Sequence, residues 1–113
     1  MKLVIAYIKP DMLEEVIRAL HAVRGIRGAS ICEGRGYGAW RMDLPAEAVR
    51  KEGSNYRPHI RVEVICSDEV AVDALGAITT SARTGLTGDG VAFMLHGDTC
   101  MRISTGEADD RLE

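Results

Sequence analysis

Residues 2–8 read KLVIAYI. Beyond Lys2 no charged side chain interrupts the run, and its Val and Ile residues favour extended backbone. A strand with one wet face alternates apolar and polar residues. This one does not, so it must be covered on both sides. Pro10 follows closely, and proline suits the first turn of a helix, where its missing N–H costs nothing. Leu13, Val16, Ile17, Leu20 and Val23 then recur at helical spacing, with Glu14, Glu15, Arg18 and His21 off that face. Gly25 and Gly28 are expected to close the helix.

The rest of the chain must supply the cover. ASICEGRG (29–36) reads as a second strand fading into glycine. From 37 to 58 no period holds, apart from a candidate helical turn at 45–51. Loops of that length inside small domains are uncommon and often functional. HIRVEVIC (59–66) alternates, with Ile60, Val62 and Val64 on one face and Arg61 and Glu63 on the other. Ser67 is a fitting N-cap, and Asp68 and Glu69 suit the positive end of a helix running to about Ala82. VAFML (91–95) gives a fourth strand and CMRIS (100–104) a short fifth; the tail 105–113 is polar. This order predicts one α+β domain over 1–113, a ferredoxin-like βαββαβ sandwich with an antiparallel sheet. Two helices cover only one face of such a sheet. The other face, which the first strand needs buried, predicts a homo-oligomer.

Composition narrows the classes. The chain has 113 residues, 46% apolar and 27% charged, with a net charge of -3. Those totals suit an ordinary globule and argue against a general nucleic-acid binder. No apolar run reaches the length of a membrane span, and the opening run is too short for a secretory signal, so a cytoplasmic protein without membrane insertion is expected. Cys32, Cys66 and Cys100 are odd in number and lack C-x-x-C spacing. They are expected to be small buried hydrophobes rather than disulfide or zinc ligands. No nucleophile–base order or carboxylate pair suggests an enzyme.

RTGLTGDG (83–90) is the segment a packed core can use least. It is either a plain helix stop or a backbone cradle for an anion, because glycine permits close approach and positive φ. His59 opens the third strand, as a solvated edge residue or a ligand contact. His21 is expected to be exposed, and His96 to be a turn residue. Trp40 either packs its loop onto the body or anchors a partner. Arg41, Arg50, Lys51 and Arg57 make that loop basic, which suits solvent or an acidic target.

AYIKPDMLEEVIRAL, GRGYG, ARTGLTGDGVAF and RISTGEADD together resemble the PII signal-transduction family over Lys2 to Asp110. The resemblance implies a ferredoxin-like homotrimer of non-enzymatic regulators. Nucleotides would sit in clefts between subunits, and the loop after GYG would dock on a target protein. Carried over by position, Gly88, Asp89 and Gly90 would hold phosphates and Arg102 would add a cation. Ser30 and Ile65 would frame the adenine. Gly36, Tyr37 and Gly38 would bring the loop base close to the nucleotide. Glu63 would pair across the subunit cleft.

The departures from the family pattern bear on the ligand. The family usually has Arg-Gln after GYG, where this chain has Ala39-Trp40, and that Gln helps hold the magnesium that carries 2-oxoglutarate. Family basic residues are replaced by His59, Val91 and Ser104. The uridylylated tyrosine of enteric members maps near Glu52, with Tyr56 outside that motif. A hydrogen bond to a charged group is worth about 1.5–3 kcal/mol. Two such losses would weaken triphosphate binding about a hundredfold. ADP or AMP is therefore expected to bind at least as well as ATP, with 2-oxoglutarate adding nothing. A small anion such as bicarbonate could use His59, Arg102, the glycine amides and the space at Ser104. The target would be a transporter or a metabolic enzyme. The alternatives are a standard ATP/2-oxoglutarate nitrogen regulator and a metal-binding trimer of the divalent-cation tolerance type. Loop 37–58 is expected to be mobile without ligand.

Overall fold

The computed structural model describes residues 1–37 and 56–108. Strand β1 (Lys2–Ile8) runs into a 3-10 turn, Pro10–Met12, and then helix α1 (Leu13–His21). Strand β2 (Ser30–Gly36) and strand β3 (Arg57–Cys66) flank the long loop. Helix α2 (Asp68–Ser81) and strand β4 (Gly90–His96) complete the repeat. The sheet is antiparallel throughout, in the order β2-β3-β1-β4. This is the expected α+β ferredoxin-like architecture.

Local chemistry sets the element ends. The Ser67 hydroxyl accepts from Val70 N at 3.4 Å, and the Ser67 carbonyl accepts from Ala71 N at 2.9 Å, so Ser67 caps α2 as its sequence suggests. The proline does not open the α-helix directly. It starts the 3-10 turn, in which Met12 N donates to Lys9 O at 3.0 Å, and α1 follows. α1 stops at His21, before either glycine, and Gly25 supplies a later turn at φ +98°. β3 begins at Arg57 rather than His59, because Gly36 and Arg57 pair and extend the β2–β3 ladder.

The core lies between the sheet and both helices. Val4, Ala6 and Ile8 of β1 meet Ile60, Val62 and Val64 of β3 there, under Val16, Leu20, Ala74 and Ile78. The opposite sheet face carries Leu3, Ile5 and Tyr7 beside Ile65, Val91, Phe93 and Leu95. Ile65, Leu95 and Val91 are 53%, 50% and 40% exposed on it. The both-sided apolar character of β1 thus has a structural origin, and half of the required cover is absent from the single chain.

The expected fifth strand does not form. Met101 makes one isolated bridge to Ala108, around a turn in which Arg102 N donates to Glu107 O at 2.9 Å and Gly106 N to Arg102 O at 2.7 Å. Among the described residues this apolar stretch joins no edge of the four-stranded sheet, and Ile103 is fully exposed. The cysteines also differ from expectation. Cys66 is buried, but Cys32 is exposed on β2 and Cys100 is intermediate. Burial pushes the Cys66 thiol pKa up, the α-amine of Met1 pulls it down more weakly, and Asp68 adds to the rise. Among the described residues no three His, Cys, Asp or Glu side chains gather as a metal site, and no helix is long and apolar enough to cross a membrane.

Candidate functional site

The loop between α2 and β4 is built on three glycines of positive φ: Gly85 (85°), Gly88 (87°) and Gly90 (108°). Only glycine holds such backbone at little cost. Gly90 has a further reason to be glycine. A Cβ there would run into the Tyr7 carbonyl oxygen, with the Tyr7 carbonyl carbon 2.9 Å away. Its smallness is demanded first by the pairing of β4 with β1, in which Gly90 faces Ile8.

Asp89 organises the loop from within. Its carboxylate accepts from Thr84 N at 2.8 Å, from Gly85 N at 3.3 Å and from the Thr84 hydroxyl. Lys9, at the end of β1, places Nζ 3.2 Å from Asp89 Oδ1 and 3.4 Å from Thr84 Oγ1. The Thr84 hydroxyl oxygen in turn accepts from Leu86 N at 3.1 Å. Partial burial pushes the Asp89 pKa up, but the Thr84 hydroxyl and amide and the Lys9 ammonium outweigh it and hold the carboxyl down at about 2. The geometry therefore gives this side chain a tying role. Its negative charge faces Lys9 and the loop's own donors, and what remains to meet an anion is backbone.

The sheet collects several of the expected residues at one end. Gly36 pairs with Arg57, Gly34 with His59, Ile8 with Ile60, and Gly90 with Ile8. A small cavity there is lined by Tyr7, Ile8, Lys9, Pro58, His59, Gly88 and Gly90. Beside it a pocket of about 170 Å³ opens between Ile78 of α2, Ala82 and Arg83 just past its end, and Asp89, Gly90 and Ala92. Tyr37 and Tyr56 meet at a tilt across the base of the long loop, centroids 5.6 Å apart and planes at 56°. Gly38, Trp40, Arg41, Arg50, Lys51 and the candidate turn at 45–51 lie outside the described residues, as does most of the loop whose mobility the sequence suggests.

Ser30 and Ile65 are not at this end. Ser30 pairs with Glu63, and Ile65 with Leu3, at the far end of the strands. Six residues of strand separate His59 from Ile65, about 20 Å at ~3.4 Å per residue. Arg102 and Ser104 stand on the turn that follows β4, beyond the point where Gly97 N donates to Met1 O at 3.0 Å. Glu63 finds a partner within its own strand, with Arg61 Nε 2.9 Å from Glu63 Oε1. His96 is the last residue of β4, paired with Lys2, rather than the turn residue expected; its ring lies 3.5 Å from Asp98 in the turn that follows, and His21 is exposed.

Four residues at the loop end escape a reading of the sequence: Tyr7, Lys9, Gly34 and Thr84. Lys9 and Thr84 acquire their roles only when β1 and the loop meet, 75 residues apart in the chain. Gly34 did carry a signal. A glycine inside a strand often marks close approach by another group, and here that group is His59.

Comparison with known proteins places this geometry in a family. The family model described as "Nitrogen regulatory protein P-II" matches residues 1–107. Nitrogen regulatory protein P-II of Rhizobium etli is 38% identical over 109 residues, covering 96% of each chain. Its counterpart from Azospirillum brasilense is 36% identical over 95% of each chain. Nitrogen regulatory protein GlnK of Escherichia coli K12 is 33% identical over 97% of each. Matches of this length leave no element of the fold outside the comparison, and the chain accordingly belongs to the nitrogen regulatory P-II family, as a regulatory protein of the P-II type.

Proposed function

We propose that this chain binds an adenine nucleotide in clefts between the subunits of a homotrimer and regulates a target protein through loop 37–58. The observation that carries the reading is the division of the matching residues. Gly36, Tyr37, Gly88, Asp89 and Gly90 stand at one end of the sheet, while Ser30, Ile65, Arg102 and Ser104 stand at or beyond the other. One chain cannot close both halves around one small ligand, but two neighbouring chains can. The trimer is the assembly typical of the family, and the uncovered Ile65, Val91 and Leu95 face is the surface it would bury.

In this reading the Gly88 and Gly90 backbone and Arg102 take the phosphates, Ser30 and Ile65 frame the base, and Gly38 completes the loop base. Asp89 serves by shaping the loop. Val91 and Ser104 supply no cation and Ala39-Trp40 no carboxamide, so ADP or AMP is favoured over ATP. The vacated space suits a small anion such as bicarbonate, met by His59 and by the region of Ser104. Trp40, Arg41, Arg50 and Lys51 would dock on the target, a transporter or an enzyme of carbon or nitrogen metabolism in the cytoplasm. The protein acts by binding and not by catalysis.

Calorimetric titration with ATP, ADP and AMP tests the proposal, each with and without magnesium, bicarbonate and 2-oxoglutarate. ADP or AMP binding at least as tightly as ATP is expected, with no gain from 2-oxoglutarate. ATP with magnesium binding ten times tighter than ADP, and tighter still with 2-oxoglutarate, would establish an ordinary nitrogen sensor instead.

A further inference from the structure

Gly34 lies inside β2, directly opposite His59 of β3. A Cβ at Gly34 would stand 2.8 Å from His59 Nε2 and 3.1 Å from Cε1. The imidazole therefore occupies the volume that any other residue at 34 would need. The same ring meets Tyr7 of β1 edge-on, with centroids 5.2 Å apart and planes at 87°. Tyr7 is itself steadied by Phe93, 6.3 Å between centroids, and by the Arg61 guanidinium 5.9 Å from its ring centre. A histidine on a half-buried strand could adopt several rotamers. Here the missing side chain on one neighbouring strand and an aromatic ring on the other select one.

That rotamer has a consequence for the site. His59 lines the small cavity with Lys9, Gly88 and Gly90. It also lines a groove of about 410 Å³ with Pro10, Glu33, Gly34 and Arg35. The ring is thus the shared wall between the glycine loop and the base of the long loop. We propose that Gly34 and Tyr7 are positioning residues for His59, holding its imidazole at the glycine-loop cavity as a protonatable contact for a bound anion. The inference rests on the reading that this loop takes an anion, and it adds a proton dependence to that binding.

The charged surroundings set its sign. β1 brings Tyr7 and Lys9, β2 brings Glu33 and Arg35, β3 brings Arg57, Arg61 and Glu63, and the glycine loop brings Asp89. Lys9 is paired with Asp89 and Arg61 with Glu63. Protonation of His59 adds one positive charge to this end of the sheet. Anion binding should therefore tighten as pH falls through the range of about 5–8 in which histidine changes charge.

The test measures ADP and inorganic phosphate affinity by calorimetry from pH 8 to pH 5.5. It compares the wild-type protein with His59→Gln, Gly34→Ala, Tyr7→Phe and Tyr7→Leu. Phosphate groups titrate here too, so the quantity read is the excess pH dependence over His59→Gln. A wild-type excess of about fivefold is expected, reduced to less than twofold in Gly34→Ala and Tyr7→Leu and retained in Tyr7→Phe. NMR of the His59 ring protons, read without ligand, should show shifts displaced in Gly34→Ala and near wild type in Tyr7→Phe. Equal pH profiles for wild type and His59→Gln would overturn the contact. A wild-type excess surviving in Gly34→Ala and Tyr7→Leu, with unmoved ring shifts, would overturn the positioning role. Failure of ADP to bind at any pH would sink the nucleotide reading as well, an outcome distinct from pH-independent binding, which sinks the inference alone.

Discussion

The two ends of the sheet are finished to different degrees. At the glycine-loop end, Asp89 gathers Thr84, Gly85 and Lys9, and the loop closes on groups from its own chain. At the other end, the turn over 101–108 is held by its own backbone and by the Thr105 hydroxyl, which accepts from Glu107 N at 3.2 Å, and its apolar side chains are exposed, Met101 at 59% and Ile103 wholly. Leu95 and Ile65 beside that end are half exposed. Fully burying an Ile side chain is worth about 1.5–3 kcal/mol. The polar groups of the loop end are thus satisfied internally, yet both ends keep apolar surface that a second copy would cover: Leu86 and Val91 are 72% and 40% exposed at the first, as Ile65, Leu95 and Ile103 are exposed at the second. Under the proposed reading of a ligand between two subunits, the difference lies in the polar groups: the loop end brings a cradle tied by Asp89, Thr84 and Lys9, while the turn end is held by local bonds.

The sharpest way to break the comparison is to exchange the demands on two glycines. Gly90→Ala puts a Cβ against the Tyr7 carbonyl at φ +108°, where β1 and β4 pair. A loss of about 4 kcal/mol or more, or insoluble protein, is expected, since clashes and forbidden backbone belong to the severe class of substitutions. Denaturant unfolding measures it. The variant is also unsuited to testing phosphate contact, because the fold fails before any ligand is consulted. A midpoint within 1 kcal/mol of wild type, on the order of a surface substitution, would show that the loop end is more pliable than its geometry implies.

Ile103→Asp addresses the other end. Ile103 is fully exposed among the described residues, so monomer stability should stay within about 0.5 kcal/mol. Assembly should suffer by about 2 kcal/mol per contact, roughly a thirtyfold weaker association. Sedimentation across a dilution series reads this directly. Unchanged assembly would move Ile103 out of the interface and leave its exposure without a purpose.

These two residues also mark what a sequence can disclose. The helices and four strands were legible because their apolar residues recur with the right period, from Val16 and Leu20 in α1 to Ile60, Val62 and Val64 in β3. Ser67 was legible because a cap is a local bond. CMRIS resembled a strand for the same local reason, and the resemblance misled, since a strand needs a neighbour and among the described residues it finds only the single bridge from Met101 to Ala108. The start of β3 was misplaced because the Gly36–Arg57 pairing is decided across the long loop. Within the site, the glycines could be read from composition and motif. The Lys9–Asp89 pair could not, because it joins the two ends of the chain. Asp89 was expected among the phosphate contacts through its backbone; what the sequence did not disclose is that its carboxylate is held by Thr84 and Lys9.

A milder exchange sharpens the contrast between the glycines. Gly106 has φ +72°, but no atom lies within 4 Å of a Cβ built on it. Gly106→Ala should therefore cost only the left-handed backbone penalty, about 1–2 kcal/mol, and should be felt locally in the turn. Hydrogen exchange at the Gly106 and Arg102 amides would rise while β1 and β4 remain protected. A cost equal to that of Gly90→Ala would mean that the turn is as tightly integrated as the glycine loop.

The smallest expected effect tests whether the loop end is held electrostatically. The Asp89 carboxyl titrates at about 2 in the folded chain, against about 3.9 for an unperturbed aspartate. A folded value below the unfolded one means that the folded state takes up this proton later as acid is added. The contribution is present in full above about pH 4, declines as pH falls toward 2, and is gone below it. The shift corresponds to about 2.5 kcal/mol before screening. With Asp89 24% and Lys9 30% exposed, solvent reduces that to about 1 kcal/mol. Asp89→Asn should lower stability by about that amount at pH 7 and should flatten the part of the acid-unfolding curve between about pH 4 and pH 2. Asp68, also held low by the Met1 α-amine, remains in both proteins, so the difference between the two curves isolates Asp89. If the curves run parallel through this range, the carboxylate contributes through shape alone, and the Lys9 charge is then available to an incoming anion.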